Sequence, residues 1–261
     1  MNAGTLTGLA LAGFAAGFVD AIAGGGGLLT LPALALAGLD PVAAVATNKL
    51  AGTIGTGSAA LAFWRKGKIE AAMTPAALAA ALGAALGALA LPFAPRALLA
   101  AALPLVLIAV ALYFALAPNL TEARREARLS LAGFAAWLAP AIGFYDGVFG
   151  PGAGSFYMIG LVVLAGFGLT RALAGARFAN FGSNAGSLAI YALTGHILIP
   201  AGLAMGAGAF LGARLGAHAA LAAGARLVRP LIVAVSCAMA LKLMTGPAGM
   251  FASLLSFMTG R

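Results

Sequence analysis

Apolar residues run through this chain in stretches about as long as a bilayer core is thick, and polar residues only punctuate them. A helix needs roughly 20 apolar residues to cross the hydrocarbon region. Segments near that length fall at 5–23, 42–64, 74–94 and 97–116, and again at 131–149, 171–194, 199–217 and 227–245. Two shorter apolar pieces, 28–38 and 154–166, follow the first and the fifth of these, each behind a run of helix-breaking residues. They are too short to span and read as re-entrant or half-helices. The pattern predicts an all-α membrane protein with about eight transmembrane helices in a single membrane domain covering 1–261. A seven-span version results if a broken helix completes a crossing.

The pattern also repeats. Gly17-Phe18-Val19-Asp20 with Gly24 matches Gly143-Phe144-Tyr145-Asp146 with Gly150. The stretch from Gly38 through Lys49 to Gly67 matches Gly166 through Arg177 to Gly195, and Pro104-Leu105-Val106 matches Pro230-Leu231-Ile232. The offset stays between 126 and 129 residues, so the two halves are colinear and duplication is the expected origin. Repeat one is 5–116, a cytoplasmic linker is 117–130, repeat two is 131–245, and 246–261 form a C-terminal tail. Four spans in each half, an even number, predict that the halves lie parallel in the membrane.

Composition closes off other classes. The chain is 63% hydrophobic and 8% charged, where soluble domains carry roughly 25% charged residues. Its net charge of +9 comes from Lys and Arg dispersed among apolar segments, the signature of membrane flanks and not of a nucleic-acid surface. Arg65, Lys66, Lys68, Arg124, Arg125 and Arg128 predict that their loops are cytoplasmic, which places both termini inside and leaves Arg96, Arg226 and Arg229 opposite. Ala21-Ile22-Ala23 resembles a signal-peptide cleavage site, but no basic segment precedes it. The lone Cys237 and the distant His196 and His218 offer no disulfide, metal set or cofactor ligation. No Ser/His or His/Glu constellation points to an enzyme.

The candidate chemistry lies at the two breaks, Gly24 to Gly27 and Gly150-Pro151-Gly152-Ala153-Gly154. Irregular backbone at membrane depth survives only inside protein or beside a cavity. Matching interruptions in two halves are the best sequence pointer to a transporter's binding site. A half-helix starting after each break offers free N–H groups to an anion, so Gly25, Gly26, Gly27, Gly152 and Gly154 are candidate substrate ligands, with Thr30 and Ser155 as hydroxyl donors. Asp20 and Asp146 precede the breaks at matching positions, and Lys49 and Arg177 follow at matching positions. An ionisable group at membrane depth is by default functional. Two readings stay open. In one, Asp20 with Lys49 and Asp146 with Arg177 form buried pairs within each half. In the other, Lys49 and Arg177 bind an anion while an aspartate couples transport to protons. Asn48, Asn180 and Asn184 lie close by, and Arg177, Asn180 and Asn184 share one helix face.

The run Gly17-Phe18-Val19-Asp20-Ala21-Ile22-Ala23-Gly24-Gly25-Gly26-Gly27, then Pro32 and Ala46-Thr47-Asn48-Lys49, resembles the first motif of the TauE/SafE family. Gly143-Phe144-Tyr145-Asp146-Gly147 with Phe149-Gly150-Pro151 is similar to its second-half counterpart. The resemblance covers essentially the whole chain. It implies a secondary transporter of the bacterial inner membrane that exports sulfite, an organosulfonate or a similar small oxyanion. The partners so implied are a small anionic substrate and membrane lipid, with no cofactor and no nucleic acid, and a homodimer is compatible. A passive anion channel is the alternative that uses the same residues.

Overall fold

The computed structural model describes residues 1–93 and 126–224, with isolated positions 227, 230, 231, 233, 234 and 237. The predicted spans 97–116 and 227–245, most of the linker and the tail therefore lie wholly or largely outside the described residues. Eight helices are described, and no strand occurs among the described residues. They are α1 (Ala3–Ala23), α2 (Gly27–Leu36), α3 (Pro41–Arg65) and α4 (Thr74–Ala90), then α5 (Leu131–Val148), α6 (Ala153–Leu164), α7 (Leu169–Thr194) and α8 (Ile199–Ala223). Helix α5 widens into a π-turn over Phe134–Leu138, and α6 ends in one over Gly160–Leu164.

Local chemistry sets the helix starts. The Asn2 side chain accepts the Thr5 N–H, Ser130 accepts from Gly133, and Asp40 accepts from Val42 and Ala43 with Pro41 at the first helical position. Asp40→Ala should lower stability by about 1 kcal/mol, read as a shift in thermal unfolding in detergent.

The interior is built from small residues and the exterior from large apolar ones. Leu36 is 91%, Trp137 78% and Leu82 70% exposed, while alanine supplies most of the buried core. A soluble protein would bury those large side chains, so the exterior is made to face lipid. Three segments are long and apolar enough to cross a membrane by length and composition, namely Ala3–Ala23, Ala71–Ala90 and Leu131–Val148. Helices α3 and α7 are longer, at 25 and 26 residues, but polar residues lower their hydropathy, and those residues turn inward.

Helix α2 doubles back along α1: Gly26 lies against Asp20 and Ala16, and Leu34 packs with Leu9. Helix α6 does the same along α5, where the Tyr157 hydroxyl donates to the Ala139 carbonyl and Gly160 meets Leu138 and Phe134. Each helix–half-helix pair thus returns toward the end it came from.

Packing between the halves is reciprocal. Helix α1 lies along α8, and α5 lies along α4. Gly13 and Gly17 abut the backbone of Met205 and Ala209, while Gly208, Gly212 and Gly216 abut Ala10, Phe14 and Phe18. On the other side Gly83 and Gly87 abut Pro140 and Phe144, while Gly143 and Gly147 abut Ala80 and Ala84. Numbering rises together in both pairs, so each pair is parallel. Helix α3 runs parallel to α8, with Leu50 at Gly202 and Ile54 at Gly206. Helix α7 runs parallel to α4, with Gly182 at Ala77 and Gly186 at Ala81.

Helices α3 and α7 run in opposite directions. Gly52 faces Asn184, Gly57 faces Phe181, and the Trp64 ring lies 5.8 Å from that of Phe178. The set α1, α3, α8 therefore points one way and the set α4, α5, α7 the other. This corrects the expectation of parallel halves. The two hairpins begin and end on the same side, so they do not count as crossings.

The exposed bases among the described residues gather at one end. Arg171 pairs with Glu70 in the α3–α4 loop, the Arg128 N–H bonds to Leu164 at the end of α6, and Arg214 lines a cleft with Arg65 and Lys66. The start of α1 lies at the opposite end, beside the start of α8, which corrects the expectation that it shares a side with these loops.

Candidate functional site

The two hairpin tips meet between α3 and α7 around a half-open cavity of about 50 Å³. That is room for a few water-sized groups. Gly24, Gly150 and Gly152 have φ of +87°, +92° and +84°, a backbone that L side chains rarely adopt. The tips also touch: a Cβ on Gly24 would strike the backbone of Gly154 and Ser155, and one on Gly27 would lie 3.5 Å from Pro151. At Gly24 only glycine permits both the turn and the approach.

Two buried ion pairs flank the cavity, and both cross between the halves. Lys49 Nζ lies 2.8 Å from Asp146 Oδ1, with side chains 0% and 2% exposed. The contact is an ion pair and not a hydrogen bond, and Nζ has no hydrogen-bond acceptor among the described residues. Asp146 Oδ2 accepts the Ser183 hydroxyl at 2.6 Å. Arg177 Nη1 donates to the Asp20 carbonyl at 2.5 Å and to Asp20 Oδ2 at 3.2 Å, while Asp20 Oδ1 accepts the Gly26 N–H at 2.9 Å. The within-half pairing of Asp20 with Lys49 and Asp146 with Arg177 is therefore corrected. Antiparallel halves bring each base to the hairpin tip of the other half.

The cavity wall carries Asp20, Gly26, Gly27, Thr30, Asn48, Asp146, Gly152, Gly154, Asn180 and Asn184. Lys49 and Arg177, both fully buried, stand behind it and do not line it, and neither do Gly25 or Ser155. Arg177 Nη2 lies against Gly24 and Gly154 and has no hydrogen-bond partner among the described residues. The Ser155 hydroxyl donates to the Ala23 carbonyl at 2.6 Å and so closes the end of α1.

The amides are arranged as donors. The Thr30 hydroxyl donates to Asn48 Oδ1 at 2.5 Å, which turns Asn48 Nδ2 toward Gly27 and Gly150. Asn180 Oδ1 accepts from Asn184 Nδ2 at 3.2 Å, leaving Asn180 Nδ2 without a protein acceptor among the described residues. The N–H groups of Gly27 and Gly154 are likewise without one. Thr56 and Gly52 also line the wall and escaped the sequence reading. Asn48, Gly52 and Thr56 recur every four residues, and Thr56 aligns with Asn184 in the internal match, a signal that could have found both.

The model of the family described as "Sulfite exporter TauE/SafE" matches residues 9–243. The chain belongs to the TauE/SafE family. A Sinorhizobium relative described as probable membrane transporter protein ORF9 is 48% identical over 240 residues, covering 92% of each chain. Probable membrane transporter protein YfcA of Escherichia coli K12 is 42% identical over 236 residues, covering 88% of this chain and 86% of its own. A probable membrane transporter protein of Haemophilus influenzae is 43% identical over 232 residues, covering 88% and 91%. No solved structure matches significantly. Membership places this chain among TauE/SafE membrane transporters, in keeping with its lipid-facing exterior.

Proposed function

We propose that this chain is a secondary transporter that exports a small oxyanion, of the sulfite or organosulfonate kind, across the bacterial inner membrane. The observation that carries the proposal is the cavity where two hairpin tips meet, with the Nδ2 donors of Asn48 and Asn180, unpaired among the described residues, on its wall. Donors held in place by neighbours suit the oxygens of an anion. The sequence-matched halves, pointing in opposite directions, are read as an inverted repeat, the architecture that exposes a midplane site alternately to the two sides. The basic end is assigned to the cytoplasm. Asp20 is assigned the proton: it is the more exposed carboxylate, at 15% against 2%, and holds its base at 3.2 Å against 2.8 Å.

Efflux from proteoliposomes tests the proposal. Hydrogen bonds to charged groups contribute about 1.5–3 kcal/mol each, so Asn48→Ala with Asn180→Ala should weaken anion affinity at least about a hundredfold in a protein that still inserts. Normal efflux from that double variant would remove both amides from the site. Flux indifferent to a pH gradient would defeat the proton-coupled version and favour a passive channel.

A further inference from the structure

We infer that the cavity selects a singly charged oxyanion over a doubly charged one of the same shape, an inference that rests on the anion reading above. Charge is counted from the wall outward. The charge-bearing side chains at the wall are Asp20 and Asp146, and both are acids. Their countercharges, Lys49 and Arg177, are fully buried behind the wall, each already matched to one carboxylate. In the state in which Asp20 carries no proton the four groups sum to zero, so no net positive charge faces a bound ligand. What does face it is neutral: Asn48 Nδ2, Asn180 Nδ2 and the Gly27 and Gly154 N–H groups at the starts of the half-helices.

Neutral donors at membrane depth stabilise one negative charge and leave a second uncompensated beside two carboxylates. The low dielectric of such a site enlarges that difference. The two asparagines make the donors more than a helix-start effect. Each is 5% exposed, and each has its carbonyl oxygen held by a neighbour so that the free NH₂ turns to the cavity. The volume of about 50 Å³ leaves room for a compact sulfonate head.

Methanesulfonate and sulfate separate the cases, because they share a sulfonate face and similar size and differ by one charge at neutral pH. Binding to the full chain in detergent is measured by calorimetry at constant ionic strength. Methanesulfonate is expected to bind at least about tenfold more tightly than sulfate. Equal or tighter binding of sulfate overturns the inference while leaving the anion reading intact. If neither anion binds, the anion reading itself fails and the inference with it. Asp20→Asn supplies the control for shape. It removes one negative charge from the wall and keeps an oxygen for the Gly26 N–H, so the preference for methanesulfonate should shrink about tenfold. A preference that does not move in Asp20→Asn is steric, and overturns the charge account.

Discussion

Asp146→Ala strips the buried Lys49 ammonium of its countercharge and should lower stability by about 3–5 kcal/mol. The loss is large because Lys49 is fully buried and its Nζ has no hydrogen-bond acceptor among the described residues to take over from the ion pair. The Ser183 hydroxyl also loses its shortest hydrogen bond and keeps only longer ones to Asn180. The measurement is a double-mutant cycle on thermal or denaturant unfolding in detergent. Lys49→Ala and Asp146→Ala should be strongly coupled, because the second substitution relieves the charge that the first exposes. Lys49→Ala and Asp20→Ala should be nearly additive. Coupling in the second pair and none in the first would restore pairing within each half and refute the crossed arrangement.

The second large effect concerns helix contact. Gly212→Leu and Gly83→Leu each push a side chain into the backbone of a facing helix, Phe14 in one case and Pro140 in the other. Backbone cannot rotate away as a side chain can. Overpacking ordinarily costs about 1–3 kcal/mol, and these sites should lie at or above the top of that range. Size-exclusion profiles and unfolding temperatures provide the measurement. Gly8→Ala is the control, since nothing lies within 4 Å of its added methyl. Equal behaviour of Gly8→Ala and Gly212→Leu would mean that α1 and α8 do not approach as described.

Much of this arrangement was legible in the residues. Two glycine breaks, two acids before them and two bases after them could be read off a colinear match, as could most helix ranges. Gly83, Gly87, Gly212 and Gly216 proved to be contact points between helices, as small residues in membranes usually are. The direction of the second half was not legible. An apolar helix followed by a half-length one has the same hydropathy whether it crosses or doubles back, and that choice sets the parity of crossings. The ion pairs were misassigned for a related reason. Linear spacing brings Asp20 near Lys49 but cannot see that an antiparallel partner delivers Arg177 to the same carboxylate. Lys49 and Arg177 looked like wall residues because charge at membrane depth draws attention to itself. The side-chain N–H donors at the wall are in fact amides, whose one-dimensional signal is weaker.

The crossed ion pairs also bear on how the chain is made. The first half leaves the ribosome carrying Lys49 and Asp20, and their native partners, Asp146 and Arg177, are synthesised later. Until α5 to α7 are inserted, neither early charge has its native partner. Burial of Lys49 and Asp20 therefore waits on the second half, so insertion of the second half and maturation of the first are one event.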